Sequence, residues 1–433
     1  MTFTPELARR QFSALSQHID GKPAIFFDGP GGAQVSRGVL EKMTDYLGKY
    51  NANLGGHYFS SRVTGEVMGQ ARESVRALLN APSPDNIVFG MNMTTLTFHL
   101  SRIISRDWQA GDEVIVTALD HYANVSSWQQ AAADQGAVVH QIPLEGADCA
   151  LDAAKVCERI NANTRLVAVS YASNVTGSIV DIKTIVEAAH RVGAQVYVDA
   201  VHYAPHNLID VQALGCDFLV CSAYKFFGPH VGMAYIAPQW LQRLRPYKVE
   251  PATDVGPGRF ETGTQSFEAL AGVAAAIDYL AQWGTPGAPL RQRLQESFAA
   301  YHRHEEALCR HFLQRLQQLD GVRLYGHSQA DSTRRTPTFA LTFSGQTPDA
   351  IARRLGQHNI CAGSGHFYAL GLIQQLGLQD GGVLRIGMMH YNTLGEIDTL
   401  FKVIAEDIRS IETASKTVMN LPSESVEGLR VQS

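Results

Sequence analysis

Hydrophobic positions along the chain fall into two rhythms. Between residues 85 and 236, short unbroken apolar runs alternate with stretches of helical spacing. Runs at 86–89, 113–117, 137–141, 166–173, 196–199, 217–221 and 231–237 are rich in Val, Ile, Phe and Tyr. They predict strands buried on both faces. The intervening stretches predict helices after residue 92 and at 126–135, 152–160 and 181–191. Such alternation implies an α/β unit with a mostly parallel, two-sided sheet.

On either side the rhythm changes. Leu7, Phe12 and Leu15 fall on one side of a helix expected over 3–18, with Phe3 outside it. A strand is expected at 24–27, followed by helices at 39–50 and 64–80, the second with Thr64 as its cap and Glu66 near its positive end. The stretch 242–268 is rich in Pro and Gly, has little periodicity, and reads as a long functional loop. A helix at 266–282, a break at 284–289 and a long amphipathic helix at 290–318 come next. Strands at 322–326, 337–343 and 383–387 with helices at 347–355, 366–377 and 394–412 predict a compact α+β unit. The expected organisation is a helical segment over 1–20 packing with the smaller domain, a large α/β domain over 21–289, a small C-terminal domain over 290–415 and a polar tail over 416–433.

Composition narrows the classes without choosing among them. The 433 residues allow two domains, and 45% hydrophobic with 18% charged residues is ordinary for a soluble enzyme. A net charge of -5 offers no electrostatic case for nucleic acid or an anionic membrane. With no apolar leader and no spanning run, the expected location is the cytoplasm. Six scattered cysteines without C-x-x-C spacing suggest reduced thiols, and the 16 histidines form no ligand motif, so no metal is expected.

Chemistry gathers at the ends of the predicted strands. One run ends on Asp199. Another ends on Ser222 and leads to Lys225. In open α/β sheets, reacting groups collect at the carboxyl ends of strands. An acid and an amine so placed suit pyridoxal phosphate: a lysine holds the aldehyde as a Schiff base, and an acid keeps the pyridine nitrogen protonated. The helix start at Met93 and Thr94, with Thr95, offers backbone amides and hydroxyls to a phosphate. Asp120, His121 and Asn124 follow one strand end, where the His121 ring can stack on a flat cofactor. Asn174, with Thr176 and Gly177, follows another. The glycine-rich turn in GKPAIFFDGPGGAQVSRG (21–38) is neither a P-loop nor a dinucleotide fingerprint. It reads either as a tight turn or as a pocket lining. Arg385, in a strand, can hold a substrate carboxylate or form a surface ion pair.

Taken together, these motifs resemble the cysteine desulfurase-like branch of the class V aminotransferases over roughly residues 20–412. The most specific stretch is VDAVHYAPHNLIDVQALGCDFLVCSAYKFFGPHVG, followed by RFETGTQ at 259–265 and RIGMMHYNTLGEID at 385–398. The resemblance implies a fold-type I architecture: a large α/β domain with a mostly parallel seven-stranded sheet and a small C-terminal α+β domain. It implies pyridoxal 5'-phosphate on Lys225, Asp199 at the pyridinium nitrogen, and Thr94, Ser222 and the Met93 region at the phosphate. His121 would lie on the ring and Asn174 at the ring oxygen. His202 stands where a glutamine is usual near that oxygen, and Tyr224 replaces the histidine that usually precedes the lysine. Arg385 would bind the α-carboxylate, with His57 in an active-site loop. A homodimer is implied, in which Thr264 reaches the neighbouring subunit's phosphate site.

The persulfide site departs from the pattern. Where the family carries G-H-H and then a nucleophilic cysteine, this chain reads SGHFYAL, with Tyr368 at the cysteine position and Gly363 in place of an arginine. Cys361 lies nearby in sequence, but a buried thiol is inert unless its pKa is lowered. The resemblance therefore favours C–S bond cleavage without a protein persulfide. Epimerisation or transamination of another amino acid, and a non-catalytic cofactor scaffold or sulfur-trafficking partner, stand as alternatives.

Overall fold

The computed structural model describes residues 2–146 and 149–419, with side chains through Glu406 in the last helix. The expected tail lies outside the described residues from 420 onward. Seven strands build the central sheet: β1 (Ile87–Gly90), β2 (Glu113–Thr117), β3 (Val138–Ile142), β4 (Thr164–Ser170), β5 (Gln195–Asp199), β6 (Phe218–Ser222) and β7 (Gly232–Ile236). Their spatial order is β1-β7-β6-β5-β4-β2-β3. All neighbours are parallel except β7, which runs antiparallel to β1 and β6. The mostly parallel sheet expected from the unbroken apolar runs is what forms. Strands β5, β6 and β7 are buried at every residue, because helices cover both faces.

A second, antiparallel sheet is built from β8 (Val322–Tyr325), β9 (Thr338–Phe343), β10 (Gly363–Gly365) and β11 (Val383–Gly387), in the order β8-β9-β11-β10. It packs with the helices Leu290–Leu316, Pro348–Gln357 and Leu394–Met419 around Phe312, Phe339, Leu341, Leu384 and Phe401. Among the described residues no helix is long and apolar enough to cross a membrane.

Three local expectations give way to packing. The helix expected over 3–18 is two short pieces, Pro5–Arg9 and the 3₁₀ turn Ser13–Ser16. Phe12 between them is extended (φ -120°, ψ 107°), which drives its ring among Phe227, Tyr279 and Tyr391 at centroid distances of 5.1–5.4 Å. Burying an aromatic ring outweighs the helical hydrogen bonds lost. Arg9 meanwhile pairs with Glu396 at 2.8 Å. Phe12→Ala is expected to cost about 3–5 kcal/mol of stability, which urea denaturation of the purified chain would measure. The second discrepancy is the helix expected from Thr64, which starts at Phe59. Thr64 is not its cap but a buried interior residue, bonded to Ser60 O at 3.0 Å and to Tyr46 Oη at 2.9 Å. The third is the helix expected over 366–377. It is only Leu370–Gln375, and β10 with an aromatic turn precedes it.

Candidate active site

Because β2, β4, β5 and β6 run the same way, their carboxyl ends open on one side. Register sets Ser170 beside Asp199 and Asp199 beside Val220. A cleft of about 310 Å³ lies there. Its lining includes Met93, Thr94, His121, Asn174, Asp199, His202, Tyr224, Lys225 and Arg385. The glycine-rich turn also reaches it: Pro30 and Gly31 line the wall, and their carbonyls accept hydrogen bonds from Lys225 Nζ at 2.5 and 2.9 Å.

The cleft holds charge in a dry setting. Burial, helped by the Arg385 guanidinium, lowers Lys225 from the usual lysine value to about 7, with Asp199 and Asp28 opposing. Burial raises Asp199 to about 7, against a 2.9 Å hydrogen bond from Val201 N. His121 falls to about 4, through burial and then the Lys225 and Arg385 charges, so its ring is neutral at pH 7. Its Nδ1 accepts from Ala123 N at 3.0 Å, which leaves the proton on Nε2. Beneath His121, the buried Asp120 accepts from Thr117 Oγ1, from Asn124 Nδ2 at 2.8 Å and from Ser170 Oγ at 2.8 Å. That network fixes the loop carrying the ring. Asn124, named in the sequence beside His121, serves this support.

Strand β7 can reach the amino end of the helix Met93–Ile104 only because residue 232 is glycine. A Cβ there would stand 2.3 Å from the Asn92 carbonyl carbon. Asn92 caps the helix by accepting from Thr95 N at 2.8 Å, and Met93 N donates to Ser222 Oγ at 3.0 Å. Ser222 therefore braces the helix start from beneath rather than lining the cleft, and Thr95 turns its hydroxyl to Asn92. His202 lines the cleft and bonds Thr336 Oγ1 through Nε2 at 3.1 Å. Tyr224 stacks on His230 at 5.0 Å, beneath Lys225 Nζ at 4.9 Å.

Arg385 Nη1 donates to Asn174 O at 2.9 Å, and Asn174 Nδ2 donates to Phe367 O at 2.9 Å. The Asn174 amide nitrogen expected at a ring oxygen is thus already engaged, while its Oδ1 is buried without a hydrogen bond. Arg385 has Ala340 as its cross-strand neighbour on one side and Gly363 on the other. A side chain there would meet the Phe367 ring at 3.0 Å, so glycine lets Phe367 fold over the guanidinium, 3.8 Å from Cζ. Phe367 and Tyr368 both adopt positive φ, 50° and 59°. Each such non-glycine residue costs about 1–2 kcal/mol. The turn is held from outside by Tyr122 N, which donates to Tyr368 O at 2.8 Å, and within itself by Tyr368 N, which donates to His366 Nδ1 at 3.0 Å.

Two expected residues lie elsewhere in their own chain. His57 is exposed, with its carbonyl accepting from Arg62 at 2.6 Å, and it does not line the cleft. Thr264 lines a separate hollow with His99, His230 and Phe260. Among the described residues no cysteine lines the cleft: Cys149, Cys216, Cys221 and Cys309 are buried, and Cys157 and Cys361 are half-buried. Burial pushes the Cys361 thiol up, away from the reactive range. Asp28 carries no role in the motifs read above. Burial raises its carboxyl, and Arg385 and Lys225 oppose that rise. Its place at a strand end, opening a glycine-rich turn, was the available signal.

Residues 25–400 match the model of the class-V aminotransferase family. The chain is 32% identical over 409 residues to a probable cysteine desulfurase of Halalkalibacterium halodurans, covering 91% of this chain and 95% of that one. It is 31% identical over 427 residues to a cysteine desulfurase of Synechococcus elongatus, where it covers 94% of itself but spans only 63% of the relative's length. The solved apo structure of a cysteine desulfurase from Thermococcus onnurineus superposes with a TM-score of 0.84 at 25% identity, covering 95% of this chain and 100% of that one. The chain belongs to the class-V aminotransferase family, in its cysteine desulfurase-like branch.

Proposed function

We propose that this chain is a pyridoxal 5'-phosphate enzyme that cleaves the Cβ–S bond of a cysteine-type amino acid and lets the sulfur leave without forming a protein persulfide. The observation that carries the reading is one cleft holding Lys225, Asp199 and Arg385 together, with Tyr368 rather than a thiol at its mouth.

The residues present fit the cofactor. Asp199 is a carboxylate whose pKa is raised by burial and then by the neighbouring Asp120, and a protonated pyridine nitrogen would offset both by placing a positive charge beside it. The helix start at Met93 and Thr94, steadied by Ser222, suits a phosphate. When bound, the cofactor withdraws the electrons left as a bond at Cα breaks. The chain's own groups do the rest. Arg385 holds the substrate carboxylate, its guanidinium kept in plane by Phe367 and Asn174. Lys225 Nζ, unprotonated above about pH 7, takes the Cα proton. The Pro30 and Gly31 carbonyls aim that nitrogen. His121, neutral and fixed by the Asp120 network, presents a flat face to a ring. His202 takes the position of the usual glutamine near the ring oxygen.

The test is an incubation of the purified chain and cofactor with L-cysteine, in which sulfide, pyruvate and alanine are all measured. Sulfide matched by pyruvate supports the reading, because L-cysteine plus water gives sulfide, pyruvate and ammonium with no reductant. Alanine would mean sulfur passed at the zero-valent level to a thiol, and would overturn the persulfide-free reading. A chain whose visible absorption shifts with other amino acids, but which releases no sulfur from any cysteine derivative, would overturn it in favour of epimerisation or transamination.

The same reading includes a homodimer in which Thr264 completes the neighbouring phosphate site, since Thr264 lies outside the cleft of its own chain. Diluting the enzyme below its dimer dissociation constant is expected to abolish activity. Thr264→Ala is expected to weaken cofactor retention about tenfold, as befits the loss of one charge-assisted hydrogen bond. A fully active monomer seen by sedimentation would contradict this.

A further inference from the structure

We infer that the substrate is an S-substituted cysteine whose sulfur carries an aromatic or other apolar group, and that the turn His366-Phe367-Tyr368 with His121 forms the subsite for that group. The inference rests on the function proposed above and names its substrate class.

Three features converge. Tyr368 is 67% exposed, yet its backbone is pinned at N and O. Its ring faces His121 at a centroid distance of 5.3 Å and His366 at 5.8 Å. Two consecutive positive-φ aromatics are an arrangement that persists only where the surroundings hold it. The turn is therefore a fixed wall with an unused aromatic face. Phe367, seated in the space that Gly363 leaves beside Arg385, continues this wall down to the carboxylate-binding arginine. A substrate held at Arg385 has its side chain directed along an aromatic surface, which suits an apolar sulfur substituent.

The chemistry agrees. A free thiol can pass its sulfur to a protein thiolate, but among the described residues no cysteine lines this cleft. A thioether has no sulfur to hand on in that way, because its second bond is to carbon. It reacts by elimination, which needs no protein thiol. Lys225 Nζ removes the Cα proton. The Cβ–S bond then breaks with its electron pair on sulfur, which gains a proton and leaves as RSH. The three-carbon remainder takes up one water and departs as pyruvate and ammonium. Substrate plus water thus gives thiol, pyruvate and ammonium, with no external oxidant or reductant.

The experiment compares S-benzyl-L-cysteine, S-methyl-L-cysteine and L-cysteine with the full-length holoenzyme, following thiol and pyruvate together. The expected kcat/KM for the benzyl compound exceeds that for the methyl compound by about tenfold or more, the scale of apolar pocket discrimination. Tyr368→Ala, and separately Tyr368→Leu, should shrink that ratio. Calorimetry on Lys225→Ala should show the same preference in binding, apart from turnover. Comparable kcat/KM for all three compounds would overturn the inference and leave C–S cleavage standing. A benzyl preference unmoved by both Tyr368 variants would overturn the subsite. No thiol from any of the three would overturn the inference and the proposed function together.

Discussion

Lys225→Ala is expected to lower turnover by at least about 10⁴-fold, the upper range for a positioned acid–base group that also carries covalent chemistry. Lys225 is the one lysine among the described residues lining the cleft, so no neighbouring amine can replace it. Its burial and the Arg385 charge set its pKa at about 7, from an ordinary value of 10.5. The group therefore holds its proton only below about pH 7. Activity that needs the free amine should fall as pH drops through that value and level off above it. The direct measurement is exchange of the substrate Cα proton in deuterated water, followed with thiol release. In the variant, exchange and release should disappear together, and a small added amine should restore part of both. Wild-type exchange in Lys225→Ala would remove the lysine from the mechanism.

Arg385→Ala is expected to raise KM by about 10²–10³-fold with a much smaller effect on kcat, because a buried charged hydrogen bond to substrate is worth about 2–5 kcal/mol. Arg385 is 7% exposed, covered by Phe367 and tied to Asn174 O. A carboxylate entering there meets a donor fork already oriented. Arg385→Lys should recover little, since an ammonium cannot reproduce the planar fork or the stacking on Phe367. Comparing each enzyme on an amino acid and on its carboxamide isolates the effect. The wild type should discriminate strongly between them, and Arg385→Ala weakly. An unchanged KM for the carboxylate would place the arginine outside substrate binding.

The central sheet was legible because strands buried on both faces leave unbroken apolar runs, and because β5 and β6 end on the residues that matter, Asp199 and Ser222. Lys225 followed from the second of these. What could not be read arises from contacts between distant segments. Phe12 leaves a helical pattern because Phe227, Tyr279 and Tyr391 gather around it, more than two hundred residues away in sequence. Thr64 has the composition of a cap but becomes an interior residue through Tyr46. Gly363 read only as a lost arginine. Its meaning appears when β10 and β11 pair and the space opposite Arg385 fills with Phe367. His57 and Thr264 rest on the family resemblance alone, and their positions in one chain leave both outside the cleft.

The ion pair between Arg9 and Glu396 joins positions 387 residues apart. At about 5–20 residues per second, a ribosome that has made the first of these needs about 20–80 s to make the second. Throughout that interval Phe12 also lacks Tyr391. The strip around Phe12 therefore waits with its docking site incomplete, Phe227 and Tyr279 being made well before Tyr391. The length of that wait is set by the speed of translation rather than by its own folding rate. A chain slowed late in synthesis presents that strip to chaperones and proteases for longer, although every residue of the finished protein is the same.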